Sequence, residues 1–108
     1  MQKFEATLLF SPDLTKESLN KSEDFFKNEL SKYDGSIKAD EDWGLKELAY
    51  NIDNHKKAFY KYYQIEIEGK KIQEIKNSLN KHDDLIRYLF VKVDNHEELP
   101  TKMMNKES

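Results

Sequence analysis

The sequence contains no cysteine, only three glycines and two prolines, and only short apolar runs such as Leu8-Leu9-Phe10. Without cysteine the chain can form neither a disulfide framework nor a thiolate zinc site. A membrane-spanning helix needs roughly 20 apolar residues in succession, and no signal-like segment is present either. We therefore expect a cytoplasmic protein that does not interact with a membrane.

Residue patterns that carry catalysis are also missing. Adjacent acids, as at Glu41-Asp42, point to opposite faces of a strand and cannot converge on one reacting atom. The three histidines, His55, His82 and His96, lack the spacing of metal ligands. No glycine-rich loop is present that could hold a phosphate. The sequence therefore predicts no enzyme, no catalytic residue, no metal site, no cofactor and no small-molecule substrate.

The charge balance limits how the chain can bind nucleic acid. The 108 residues include 18 Lys and Arg against 21 Asp and Glu, which gives a net charge of −3. Binding driven by bulk electrostatics requires many clustered cations that release counterions from the phosphates. Any contact with RNA must therefore be local.

Hydrophobic periodicity predicts six elements in the order β-α-β-β-α-β. Alternation over Lys3–Phe10 predicts the first strand. Apolar spacing of three or four residues predicts a first helix, capped by Thr15 and ended by a left-handed Gly35, and a second helix that carries Ile72, Ile75 and Leu79. Alternation over Asp84–Val93 predicts the fourth strand.

The two middle strands are predicted to form a long hairpin. Ile37, Ala39, Trp43 and Leu45 alternate before the turn, which Asp53-Asn54 would make. Gly44 indicates a β-bulge. The residues that alternate after the turn are Phe59, Tyr63, Ile65 and Ile67.

This element order predicts an α+β fold, the ferredoxin-like sandwich, in which a four-stranded antiparallel sheet carries two helices on one face. The other face stays open, and Leu9, Leu89 and Val91 would lie on it as a surface for a partner. We expect residues 1–94 to form this domain and residues 95–108 to form a polar, disordered tail.

The tip of the hairpin is basic. No acid occurs between Asn54 and Ile65, and the segment His55-Lys56-Lys57 can donate to phosphates while nearby tyrosines offer rings to unpaired bases. The alternative is that the lysines only keep a strand edge soluble and the tyrosines pack the sheet.

The hairpin also carries a family resemblance. Asp42-Trp43-Gly44-Leu45-Lys46-Glu47-Leu48-Ala49-Tyr50-Asn51-Ile52 resembles the D-W-G-x-[KR]-x-L-A-Y-x-I signature of ribosomal protein six of the bacterial small subunit. The likeness extends from Phe4 to about Val93. It implies the ferredoxin-like fold and a structural role in the ribosome. It further implies binding to the central domain of small-subunit ribosomal RNA, together with the small basic ribosomal protein eighteen of the small subunit.

Two sets of site residues follow from the resemblance and from the pattern of the residues. The candidates for ribosomal RNA contact are Lys46, Tyr50, His55, Lys56, Lys57 and Arg87. The candidates for the partner interface are Trp43, Leu48, Tyr50, Leu89 and Val91.

Some residues of the predicted RNA-binding region have other interpretations. Glu47 and Asp53 depart from the family pattern and predict a weak solitary affinity for RNA. Arg87 could instead pair with Glu5 or Glu66 across the sheet. The alternative function is a regulatory α+β domain that associates with itself and binds no RNA.

Overall fold

The computed structural model describes residues 1–52 and 54–99. The strands pair in the order β2-β3-β1-β4, and every pairing is antiparallel. This arrangement confirms the predicted ferredoxin-like sandwich. No helix in the described part of the chain is long and apolar enough to cross a membrane. The elements are β1 (Gln2–Phe10), α1 (Lys16–Lys32), β2 (Ser36–Ile52), β3 (His55–Ile67), a 3-10 turn (Gly69–Lys71), α2 (Ile72–Leu79) and β4 (Leu85–Val93).

The hydrophobic core lies between the helices and one face of the sheet. Successive side chains of a strand point to opposite faces, so every second residue of β1, from Phe4 to Phe10, faces the helices. The burial of apolar surface from the helices and from this face of the sheet is the main force that holds the two layers together. The buried cluster is completed by Phe26 and Leu30 of α1, Tyr63, Ile65 and Ile67 of β3, and Ile72, Ile75 and Leu79 of α2.

Helix α1 begins as predicted but ends differently. The Thr15 side chain accepts a hydrogen bond from Ser18 N at 3.1 Å, which confirms the N-cap. At the other end the left-handed residue is Asp34, with φ of 63°, so the prediction that Gly35 takes this conformation is wrong. Gly35 N donates to Leu30 O at 2.8 Å, which is the six-to-one bond of a Schellman motif. Gly35 is therefore the residue after the left-handed one.

The reason for Gly35 is space. A Cβ atom added there would lie 3.0 Å from Ile67 Cδ1 and 3.2 Å from Leu30 O, so the end of α1 packs directly on β3.

Strand β2 is interrupted by β-bulges. Its register with β3 shifts between Ile37 and Ala39, and again between Asp42 and Gly44. Gly44 has φ of +78°, which confirms the predicted bulge. The residues that alternate along β2 do not share one face, because each bulge exchanges the two faces. Ile37 lies opposite Ile65 on the helix side, whereas Ala39 lies opposite Gln64 on the other side.

The hairpin turn is tight. Ile52 pairs with His55, which leaves two residues between the strands, and Asn54 has φ of 67°. Short polar side chains such as that of Asn tolerate this conformation. Asp53, the other residue of the predicted turn, lies outside the described residues.

The left-handed position at the end of α1 gives a prediction about stability. A Cβ costs about 1–2 kcal/mol in the left-handed region, except that Asp and Asn offset part of this cost by local hydrogen bonding. Asp34→Ala should therefore lower the free energy of unfolding by about 1 kcal/mol, while Asp34→Gly should keep it or raise it. Urea denaturation of the two variants and the wild type measures the difference. Equal stability of the Ala and Gly variants would contradict this account of the helix end.

Candidate functional site

The face of the sheet that the helices leave uncovered, called the open face below, contains side chains from all four strands. Thr7 and Leu9 of β1 lie on it, because their neighbours Ala6 and Leu8 face the helices. The register places Leu89 opposite Thr7 and Val91 opposite Glu5, so the predicted open-face positions of Leu9, Leu89 and Val91 are confirmed.

Residues 94–99, which follow β4, cover one end of the open face. His96 Nε2 lies 3.2 Å from Phe4 O and 3.1 Å from Ile65 O. Gln64 Nε2 donates to Glu97 O at 2.6 Å. These contacts extend the packed domain beyond the predicted boundary at residue 94. The remainder of the predicted tail, residues 100–108, lies outside the described residues.

The other end of the open face contains an apolar cleft of about 390 Å³. A third irregularity of β2 makes one of its walls. Four residues separate Glu47 from Ile52, but only one residue separates their partners Lys57 and His55. The surplus residues bulge out of the sheet, towards side chains of β4. The lining residues are Thr7, Leu9, Trp43, Leu48, Ala49, Tyr50, Ile52, Tyr60, Arg87, Tyr88 and Leu89.

Trp43 lies on the open face and not in the core on the helix side. The bulge at Gly44 directs its ring onto Tyr62, with centroids 5.0 Å apart and planes 12° apart, and next to Tyr60 at 6.5 Å. Trp43 Nε1 donates to Glu41 Oε1 at 2.8 Å. The indole is thereby fixed as a rigid wall of the cleft.

The predicted partner residues are largely brought together here. Trp43, Leu48, Tyr50 and Leu89 all line the cleft, and Val91 lies on the same face beyond it. Tyr50, Leu89 and Val91 are 67%, 59% and 45% exposed.

Some residues that line the cleft were not predicted from the sequence. Thr7, Ala49, Ile52 and Tyr88 complete the lining. Their position depends on cross-strand register and on the surplus residues of β2, and neither has a local pattern in the sequence.

The predicted RNA residues fall into two groups. His55, Lys56 and Lys57 lie at the hairpin tip, and Lys56 and Lys57 are exposed and point to opposite faces of β3. Neither lysine forms an ion pair within the described residues. Lys46 lies opposite Ala58, near this tip.

Tyr50 and Arg87 belong to the second group, at the cleft. The ion pair of Arg87 with Glu5 or Glu66 is not formed, and Arg87 has no ion pair in the described part of the chain. The reason is register. Arg87 lies opposite Leu9, four residues along β1 from Glu5 and therefore about 13 Å away.

A cluster of Ser22, His82 and Asp84 resembles a catalytic triad in composition but not in geometry. Ser22 Oγ donates to Asp84 Oδ2 at 3.2 Å and lies 3.0 Å from His82 Nε2, so the serine is the central residue. A nucleophilic triad requires the histidine in the centre and an accessible serine, and Ser22 is only 2% exposed. The cluster ties α1 to the loop before β4. Among the described residues no group of three His, Cys, Asp or Glu side chains could hold a metal ion.

Two tyrosines of β3 have perturbed acidity. Burial raises the pKa of Tyr62 to about 12, the hydrogen bond from Gln64 Nε2 opposes this shift, and the charge of Glu5 adds to it. Burial, together with a 2.7 Å hydrogen bond to Glu23 Oε1, also raises the pKa of Tyr63. Both hydroxyls thus keep their protons to a higher pH than an exposed tyrosine does.

Comparison with known proteins identifies close likenesses. A family model described as Ribosomal protein S6 matches residues 3–92. The small ribosomal subunit protein bS6 of Mesorhizobium japonicum is 30% identical over 106 residues, which cover 98% of this chain and 64% of that protein. The bS6 protein of Jannaschia sp. is also 30% identical, and the match covers 98% of this chain and 91% of that protein.

A solved structure shares the fold. The crystal structure of 30S ribosomal protein S6 from Thermotoga maritima superposes with a TM-score of 0.81 and 19% identity, over 85% of this chain and 87% of that chain. The surface described above thus lies on a fold that a ribosomal protein also has.

The acidity of Tyr62 predicts how stability depends on pH. Its pKa is about 12 in the folded protein against 10.0 as the ordinary value, so between these values the unfolded chain loses the proton first. The free energy of unfolding should therefore be fully retained below about pH 10 and should fall as the pH rises towards 12. Tyr62→Phe should show a shallower fall, with part remaining because Tyr63 acts in the same direction. Denaturant unfolding across this pH range measures both, and an unchanged slope in the variant would contradict the assignment.

Proposed function

The chain belongs to the ribosomal protein S6 family of the bacterial small ribosomal subunit, and we propose that it binds the central domain of small-subunit ribosomal RNA as a heterodimer with ribosomal protein eighteen. Members of this family are structural proteins of the ribosome and not enzymes. The place of action is therefore the ribosome in the cytoplasm.

The observation that carries the partner assignment is the apolar cleft on the open face. Tyr50 and Leu89 are more than half exposed, on a chain whose mean hydropathy is −0.94. A protein this polar gains little from displaying a connected apolar surface unless another molecule covers it. Aromatic residues are enriched in the buried cores of interfaces, and Trp43 and Tyr60 provide rigid rings here. The partner would cover Trp43, Leu48, Tyr50, Leu89 and Val91.

RNA contact is assigned to the hairpin tip. Lys56 and Lys57 are exposed and point to opposite faces, so the tip can contact two phosphates that flank it. Lys61, by contrast, is paired with Glu23 at 3.4 Å and Asp42 at 3.1 Å and is not available to RNA. His55 and Lys46 adjoin the tip, and the exposed ring of Tyr50 lines the cleft, where it can meet a base or the partner.

The charge balance explains why two proteins would act together. Each phosphate that a protein neutralises strengthens binding by releasing counterions, and this chain has more acids than cations, 21 against 18, with a net charge of −3. A basic partner that covers the open face would supply the missing positive charge beside the hairpin tip. The alternative of a self-associating regulatory domain loses its support, because the chain belongs to a ribosomal family.

The hairpin-tip assignment predicts the effect of removing two cations. Lys56→Ala combined with Lys57→Ala should weaken binding of the heterodimer to the RNA by about tenfold or more. The slope of log affinity against log salt should become shallower by about 2, one unit for each lost phosphate contact. Filter binding over a range of salt concentrations measures both quantities.

A matched control separates local contact from net charge. Lys16→Ala combined with Lys27→Ala removes the same charge from exposed positions of α1, on the opposite side of the sheet. This variant should bind almost as the wild type does. Equal losses from both pairs would mean that the hairpin tip is not the contact.

The partner assignment predicts the effect of a charge placed in the cleft. Leu89→Glu should abolish measurable heterodimer formation, because a carboxylate would be buried against apolar groups. The control is Leu45→Glu, since Leu45 is 48% exposed but lies on the helix side of β2, opposite Phe59. Isothermal titration calorimetry measures both. A heterodimer that forms normally with Leu89→Glu would show that the partner does not cover the cleft.

A further inference from the structure

We propose, on the basis of the proposed heterodimer, that the partner segment filling the cleft carries a carboxylate that pairs with Arg87. Arg87 would then belong to the interface between the two proteins and not to the predicted RNA contact. It makes Arg87 the residue that selects which part of a basic partner enters the cleft.

The position of Arg87 is the first support. It is the only arginine of the sequence, and it lines the cleft together with Leu9, Leu48 and Leu89. Leu9 is its partner in the sheet register, and Leu89 follows it on the same face of β4. A partner that covers these leucines must also remove water from the guanidinium.

The second support is that the chain itself leaves this charge unpaired. Within the described residues Arg87 forms no ion pair. The carboxylate of Glu5 accepts a hydrogen bond from Glu97 N, and that of Glu41 accepts one from Trp43 Nε1. Glu5 also lies four residues along β1 from Leu9, the register partner of Arg87, and is therefore out of reach of the guanidinium.

Covering an unpaired guanidinium is costly, because its hydration is lost and nothing replaces it. An incoming surface that supplies an acceptor of matching geometry offsets this cost. The planar fork of arginine donates two parallel hydrogen bonds to one carboxylate, an arrangement that lysine cannot reproduce. A carboxylate in the partner thus satisfies the charge at the place where the apolar contact forms.

The composition of the cleft favours a protein segment over a nucleotide. Leu9, Leu48 and Leu89 line the cleft together with Arg87, and these aliphatic side chains complement an apolar side chain of a protein better than the polar edges of a base. In a partner that is otherwise basic, most segments would be repelled by the guanidinium. The rare acidic segment would be admitted, so one charge provides both attraction and discrimination.

The test measures the dissociation constant of the heterodimer without RNA, by calorimetry at low and high salt. The variants are Arg87→Met, which keeps the apolar stem and removes the charge, and Arg87→Lys, which keeps the charge and removes the fork. We expect Arg87→Met to weaken binding by about tenfold or more and Arg87→Lys to fall between it and the wild type. Binding by the wild type should weaken with salt more than binding by Arg87→Met does.

Each of the following results would overturn the proposal. Wild-type or tighter binding by Arg87→Met would show that the guanidinium meets no acid. An unchanged heterodimer with a lower RNA affinity would assign Arg87 to a phosphate. Normal binding by both Arg87→Met and Leu89→Glu would instead remove the partner from the cleft, and the proposed function would fail together with the inference. If only Leu89→Glu disrupts the heterodimer, the proposed function stands and the carboxylate pairing falls.

Discussion

A four-stranded sheet has two faces, and the two helices of this chain cover only one of them. The alternation of strands sends half of the β1 side chains, including Leu9, to the face without helices. Leu9 is nevertheless buried, because other parts of the chain close over it. The segment around His96 covers one end of the face and the surplus residues of β2 border the other. The cleft lies at this second end, with the surplus residues of β2 as one of its walls.

The β-bulges of β2 shape the hairpin so that part of this strand forms a wall of the cleft. Trp43 is the residue without a partner in the register at the bulge before Gly44, and its ring stacks on Tyr62. The surplus residues between Glu47 and Ile52 likewise leave the regular register, and they bring Leu48 and Tyr50 to the cleft. Bulges cost regular hydrogen bonds, so their recurrence in one strand is consistent with a strand shaped for binding. The bulges of β2 thus connect the fold with the proposed partner surface.

Sequence patterns predicted the elements and the helix-side core well, because burial on one face imposes a period that survives in β1, α1, α2 and β4. They failed in β2, since a bulge leaves the composition of a strand unchanged while it exchanges the faces. Gly35 was a similar failure, because glycine serves either positive φ or close packing and the sequence does not tell which. The pairing of Arg87 depended on register across two strands, which no local pattern contains.

The distribution of charge gives the last constraint on how the protein works. Lys61 is neutralised inside the chain by two acids, whereas Lys56, Lys57 and Arg87 have no ion pair within the described residues. These three cations are therefore available to groups that other molecules supply. The tip lysines are exposed at the end of the hairpin, whereas Arg87 is exposed beside Leu9 and Leu89 at the apolar cleft. A chain with net charge −3 can therefore offer separate cations to two partners. The lysines of the hairpin tip would contact RNA, and Arg87 at the cleft would contact the protein partner.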